Sequence, residues 1–256
     1  MSLKGKKVFI TGASAGIGEA CAIAFAKEGS DLILSARRLE KINELAEILE
    51  EKHKIKTYSF KLDVRSNSEV KRSVDSLPDE WRSIDILVNN AGLSQGLDKV
   101  QDGNIDDWER MLDTNVKGLL YVTRAILPGM IKNGKGHIIN LSSIAAYQVY
   151  SGGNVYCASK FAVRALTEGM QIDTVDTPVR VSAVAPGLVD TEFSVVRFKG
   201  DKEKADSVYK GLKPLTGEDV AEAVIFCATR PEYVNINEMI IMPKDQAAVY
   251  AIHREM

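Results

Sequence analysis

Short β-branched runs alternate with amphipathic stretches along nearly the whole chain of 256 residues. That alternation is the pattern of βαβ units laid into a parallel sheet. The runs are Lys7–Thr11, Asp31–Ala36, Lys56–Asp63, Ile84–Asn89, Gly136–Ser142, Val179–Ala185 and Glu238–Met242, and several are near-continuously apolar, as strands covered on both faces must be. Between them Gly16–Glu28, Leu39–Lys52, Ser66–Leu77, Ile105–Ile131, Val155–Thr174 and Thr216–Ala228 read as helices, the last with Glu218 and Asp219 in a first turn whose dipole favours acids. No repeat, low-complexity segment or Pro/Gly-rich linker divides the chain, so residues 1–256 are expected to form one α/β domain. The one long stretch outside the rhythm, 187–215, reads as an irregular insertion, and such insertions in compact domains are usually functional lids.

Composition narrows the partners. Thirty-three Lys and Arg against 35 Asp and Glu leave a formal charge of -2, with a mean hydropathy of -0.10, so no basic field recruits nucleic acid or anionic lipid. The apolar run Val8–Ile10 is too short for a signal-peptide core, and no stretch approaches the roughly 18 apolar residues of a membrane span. Cys21, Cys157 and Cys227 are odd in number and widely spaced, which suggests reduced thiols in a cytoplasmic protein. His53, His137 and His253 lie far apart and no metal-ligand spacing occurs, so no metal site is expected.

The turn after the first strand reads Thr11-Gly12-Ala13-Ser14-Ala15-Gly16-Ile17-Gly18. It is not G-x-G-x-x-G, because the register opened at Gly16 reaches Cys21 where glycine is required. Glycines between a strand and a helix still allow close backbone approach, and the helix offers free N–H groups to a phosphate; the alternative is an ordinary tight turn. The second strand ends in Arg37 and Arg38, where an NAD-binding fold places an acid on the ribose. Guanidinium groups there suit the 2′-phosphate of NADP, against the alternative of a solvated pair opening the helix at Leu39.

Tyr156 and Lys160 stand at i and i+4 on one helix face, and Ser143 lies at the carboxyl end of the fifth strand, where open α/β sheets bind ligands. A phenol of ordinary pKa about 10 is a poor base, and a neighbouring ammonium favours its phenolate. Such pairs also arise by chance on helices. Three other matches fail on context. Gly92-Leu93-Ser94-Gln95-Gly96 has the spacing of a hydrolase elbow but no helix follows it. Gly129–Lys135 begins like a P-loop, yet Gly136 replaces the required Ser or Thr. Asn140-Leu141-Ser142 is a glycosylation triplet inside a buried strand.

Together these residues resemble the short-chain dehydrogenase/reductase family over essentially the whole chain. The resemblance rests on the T-G-x-x-x-G-x-G turn at Thr11–Gly18, N-N-A-G at Asn89–Gly92, Asn115, Ser143, Y-x-x-x-K at Tyr156–Lys160, and Pro186-Gly187 followed by Thr191. It implies a single-domain, Rossmann-like doubly wound parallel sheet of seven strands in the order 3-2-1-4-5-6-7, helices on both faces, and a homotetramer. The nearly all-apolar helix Val155–Thr174, with Phe161, Val163, Leu166, Met170 and Ile172, is suited to a subunit interface.

By the same resemblance Tyr156 is the general acid/base, Lys160 lowers its pKa and holds the nicotinamide ribose, Ser143 bonds the reacting oxygen, and Asn115 supports a proton-relay water. The implied cofactor is NADP, contacted by Gly12, Ser14, Ala15, Gly16, Ile17, Gly18, Val64, Ala91, Gly92, Pro186, Gly187 and Val189, with Asp63 on the adenine, Asn90 on a ribose and Thr191 on the carboxamide. Many NADP-preferring members carry a basic residue where this chain has Ala15, so the phosphate preference falls to Arg37, with Arg38 secondary.

The stretches Asn89–Leu93, Gly153–Cys157, Asp190–Ser194, Val196–Asp201 and Ile252–Arg254 are similar to the branch that oxidises serine, allo-threonine and other small 3-hydroxy acids. In that case Arg197, on the lid, is the candidate for the substrate carboxylate, against a solvated charge beside Lys199 and Lys202. The alternatives are a 3-oxoacyl or general carbonyl reductase of the same family, and a non-catalytic NADP-binding sensor.

Overall fold

A computed structural model describes residues 1–255. Seven parallel strands form one sheet in the order β3-β2-β1-β4-β5-β6-β7, as expected. They are β1 (Lys7–Thr11), β2 (Asp31–Ala36), β3 (Thr57–Lys61), β4 (Ile86–Asn89), β5 (Gly136–Leu141), β6 (Val179–Pro186) and β7 (Glu238–Ile241). The helices are α1 (Gly16–Lys27), α2 (Leu39–His53), α3 (Asn67–Asp75), α4 (Ile105–Leu112), α5 (Leu119–Lys132), α6 (Asn154–Asp173), α7 (Glu192–Arg197), α8 (Lys202–Ser207) and α9 (Gly217–Ala228).

Side chains alternate across a strand, and the two helix layers divide accordingly. Val8, Ile10, Leu32 and Leu34 are buried with Phe25 of α1, Ile42 of α2 and Val224 of α9. Phe9, Ile33, Leu87 and Ile138 are buried with Val70 of α3, Ile126 of α5 and Val163 of α6. A one-residue register slip would exchange the two sets, so the buried faces fix the strand register. Thr216 and Asp219 close α9 with a reciprocal capping box, each side chain accepting from the other's backbone N–H.

Two expectations are corrected. The helix read over Ile105–Ile131 is interrupted: Asp113–Gly118 winds as a π-helical turn between α4 and α5. Gly118 lies against Val64, where a Cβ would overlap the valine side chain, so this backbone packs tightly under the sheet's carboxyl edge. The 187–215 insertion is not irregular either. Thr191 caps α7 and Asp201 caps α8, and the two ends of the insertion are joined by a Val189–Leu215 bridge. It is a compact loop closed at its base. Among the described residues no helix is long and apolar enough to cross a membrane.

Candidate active site

The carboxyl ends of β1, β4, β5 and β6 open into one cleft of about 660 Å³, within the usual range for small-molecule sites. Every residue expected at the cofactor or substrate lines it except Gly18 and Asn115, which are buried behind its wall.

The glycine-rich turn owes its shape to two positions. Gly12 sits at φ +68°, which an L side chain rarely adopts. At Gly18 a Cβ would overlap both the Asn90 amide and the Gly12 carbonyl. Asn90 lines the cleft and also braces this turn, with Nδ2 donating to the carbonyls of Thr11 at 2.9 Å and Gly12 at 3.1 Å. Thr11 Oγ1 accepts from the backbone N–H groups of Asn90 and Ala91 at 3.1 and 3.0 Å. The turn and the β4 loop are thus one hydrogen-bonded unit. Ala15 precedes α1 without a side-chain cap, so the N–H groups of the first helical turn are open to an anion in the cleft.

Beside this turn Arg37 is exposed and, among the described residues, makes no side-chain hydrogen bond or ion pair. Arg38 is engaged: Nε donates to Ser14 Oγ at 3.1 Å and Nη1 to Glu192 Oε2 at 2.8 Å. Asp63 receives Arg65 Nε at 3.0 Å on both carboxylate oxygens, and that hydrogen bond holds its carboxyl below the usual range. An open helix N-terminus and a free guanidinium along one wall fit a phosphorylated dinucleotide.

The proton-transfer candidates gather at the ends of β5 and α6. Ser143, just past β5, accepts the Ala145 N–H at 3.1 Å. Tyr156 is buried in a small apolar cluster with Leu93, Met111, Ala145 and Cys157, its ring edge-on to Phe193 at 5.6 Å. Burial raises its pKa above 10, while the Arg197 guanidinium and a hydrogen bond with Ser143 pull it back. Lys160 reaches the same wall, with Nζ donating to the Leu141 carbonyl at 2.9 Å and lying 5.9 Å from the Tyr156 ring centroid. Its burial lowers the pKa to about 8. Spacing alone pointed to Lys160 as the cation beside the phenol; the Arg197 guanidinium carbon stands there too, 5.3 Å from the ring centroid. Asn115 sits in the π-helical turn, where its side chain accepts from Leu93 N at 2.8 Å and donates to Leu93 O at 2.8 Å and Ser159 Oγ at 3.0 Å. Such turns are frequent at functional sites.

Arg197, the last residue of α7, points into the cleft rather than joining Lys199 and Lys202 in solvent. Its Nε donates to Ser94 Oγ at 3.1 Å and its Nη2 to Tyr150 OH at 3.0 Å. The guanidinium carbon lies 5.0 Å from the Phe193 ring centroid and 5.3 Å from that of Tyr156. Two of five N–H donors are used, leaving three for an anion. Sequence reasoning missed Ser94 as a partner, having weighed it only as a hydrolase nucleophile, and missed Tyr150 and Glu192. At Gly153 any Cβ would overlap the Tyr150 ring, so the glycine gives that ring its place.

Residues 6–202 match the short chain dehydrogenase family. The chain is 46% identical over 254 residues to the NADP-dependent 3-hydroxy acid dehydrogenase of Schizosaccharomyces pombe, covering 99% of this chain and 98% of that protein. It is 44% identical over 250 residues to sulfoacetaldehyde reductase 2 of Chromohalobacter salexigens, covering 97% and 98%. Among solved structures, the closed form of serine dehydrogenase complexed with NADP+ superposes with a TM-score of 0.91 at 45% identity, covering 97% of this chain and 100% of that one.

Proposed function

The chain belongs to the short chain dehydrogenase family, and from that membership we propose an NADP-dependent oxidoreductase that moves hydride between the nicotinamide and the 3-hydroxyl carbon of a small 3-hydroxy acid such as L-serine, L-allo-threonine or 3-hydroxypropanoate. The observation that carries the substrate reading is Arg197. A cation with spare donors 5.3 Å from the Tyr156 ring suits an anion only a few bonds from the reacting hydroxyl. A long acyl chain has no use for that cation, which disfavours the 3-oxoacyl alternative. The two relatives above, a 3-hydroxy acid dehydrogenase and a sulfoacetaldehyde reductase, are both named for acidic substrates.

Bound NADP supplies the hydride acceptor, or its reduced form the donor. Gly12, Ser14, Ala15, Gly16 and Ile17 would hold its pyrophosphate side, with Gly18 behind them letting the turn close, and Arg37 with Arg38 would hold the 2′-phosphate. Asp63, Val64, Asn90, Ala91, Gly92, Pro186, Gly187, Val189 and Thr191 would line the rest, and Asn90 also shapes the turn. In the oxidising direction Ser143 bonds the reacting hydroxyl oxygen and the Tyr156 phenolate takes its proton. Arg197 and Lys160 oppose the cost of a buried phenolate. Asn115 holds the Leu93 backbone, and with it the loop facing the reacting atoms. The 187–215 segment is the substrate lid.

The rest of the molecule supports a cytoplasmic homotetramer. All three cysteines are free and buried, with the Cys21 thiol pushed up to about 12 by burial. Phe161 and Ile172 of α6 are 40% and 72% exposed in the single chain, an apolar face that subunit contact would cover.

Cofactor choice tests the assignment at Arg37. Replacing Arg37 by Ala removes a charge-assisted contact of roughly 1.5–3 kcal/mol, so kcat/KM with NADP+ falls about ten- to a hundredfold while that with NAD+ changes little. Steady-state kinetics with both cofactors reads this directly, and equal losses would remove Arg37 from the 2′-phosphate site.

A further inference from the structure

Glu192 opens α7, at the start of the lid, and its carboxylate reaches across the mouth of the cleft. Oε2 accepts from Arg38 Nη1 at 2.8 Å and Oε1 from Lys41 Nζ at 3.3 Å. Arg38 is bound at the same time to the glycine-rich turn, with Nε on Ser14 Oγ at 3.1 Å and Nη2 on the Ser14 carbonyl at 3.4 Å. The lid also touches that turn through Thr191, whose side chain faces the space above Gly16. One lid carboxylate therefore occupies Arg38, one of the two cations assigned above to the cofactor's 2′-phosphate, together with the neighbouring Lys41.

A carboxylate and a phosphate monoester compete for the same guanidinium donors, and two anions sharing one fork repel each other. Glu192 is ionised at neutral pH, its carboxyl held below the ordinary range chiefly by the Arg38 hydrogen bond. Both members of the pair are about half exposed, at 44% and 49%, so water and salt weaken the contact enough for exchange with a stronger anion.

We infer that Glu192 is a specificity-determining residue acting through Arg38: a resident counter-anion that the 2′-phosphate of NADP must displace. The inference rests on the reading of Arg37 and Arg38 as the 2′-phosphate site. While Glu192 is in place, affinity for the phosphorylated cofactor is held below what Arg37, Arg38 and Lys41 could give together. Arrival of the phosphate frees the first turn of the lid, so cofactor binding and lid position are coupled through one ion-pair exchange. NAD carries a hydroxyl at the same place and leaves the Glu192 pairs intact.

The test is calorimetric titration of the full chain with NADP+ and NAD+, without substrate, for the wild type, Glu192→Gln, Arg38→Ala, Arg37→Ala and the Glu192→Gln/Arg38→Ala double variant. Glutamine keeps the shape and removes the charge. Glu192→Gln is expected to bind NADP+ roughly two- to fivefold tighter, the scale of an exposed ion pair. NAD+ binding stays unchanged, and the gain shrinks in the Arg38→Ala background. Unchanged or weaker NADP+ binding in Glu192→Gln would overturn the inference, the weaker case making Glu192 a clasp that closes over the cofactor. An equal gain for both cofactors would overturn it too. If instead Arg38→Ala and Arg37→Ala each lower NADP+ affinity no more than NAD+ affinity, the 2′-phosphate site itself is misplaced and the inference falls with it.

Discussion

Replacing Tyr156 by Phe is expected to lower kcat for L-serine oxidation at least a hundredfold while leaving the dissociation constant of NADP+ within about twofold of the wild type, a split that general acid/base removal produces and unfolding does not. The substitution deletes one hydroxyl. The ring keeps its edge-on contact with Phe193 at 5.6 Å and its place beside Leu93, Met111 and Cys157, so packing is nearly conserved. The hydroxyl is the group whose protonation is contested in the cleft, raised by burial and lowered by Arg197 and Ser143. Because burial holds this phenol above its ordinary range, oxidation by the wild type should accelerate with rising pH through the neutral range, as a larger fraction becomes phenolate. Single-turnover kinetics and equilibrium titration together check the prediction. A variant retaining more than a hundredth of wild-type kcat would place the proton acceptor elsewhere.

Arg197→Ala is expected to reduce kcat/KM for L-serine about a hundredfold or more, and that for a neutral secondary alcohol of similar size far less. The guanidinium is partly buried among the Phe193, Tyr156 and Tyr150 rings, where an ion contact is less screened than at the exposed Arg37. Truncating one partner of such a hydrogen-bonded charge pair typically costs about 2–5 kcal/mol. Arg197 also helps hold the Tyr156 pKa down, so a small loss on the neutral alcohol belongs to the same account. Comparing both substrates in parallel separates the two effects. Equal losses would leave Arg197 acting on Tyr156 alone, with no carboxylate role.

Much of this was legible in the chain because it is written in local spacing. The continuous apolar run Val8, Phe9 and Ile10 predicts a strand buried on both faces, and both helix layers bury it. The turn at Gly12–Gly18 and the i, i+4 pair of Tyr156 and Lys160 likewise needed only neighbours. What stayed hidden depends on partners far along the chain. The π-helical turn at Asp113–Gly118 interrupts a sequence with no break in its helical periodicity, and it is set by tertiary contacts, Gly118 against Val64 and Asn115 against Leu93. Arg197 meets Ser94 and Tyr150 across separations of 103 and 47 residues, and Glu192 meets Arg38 across 154. Lys160 shows the limit of spacing: it stands where the motif requires, yet its ammonium donates to the Leu141 carbonyl.

Isotopic labelling follows the hydride itself from the 3-carbon of a small hydroxy acid to NADP. L-serine deuterated at C3, incubated with the wild type and NADP+, is expected to give reduced nicotinamide carrying the deuterium, detected by mass spectrometry, with turnover slower than for unlabelled serine if transfer limits the rate. Label released to water, or no reduced cofactor at all from L-serine and 3-hydroxypropanoate alike, would contradict the account.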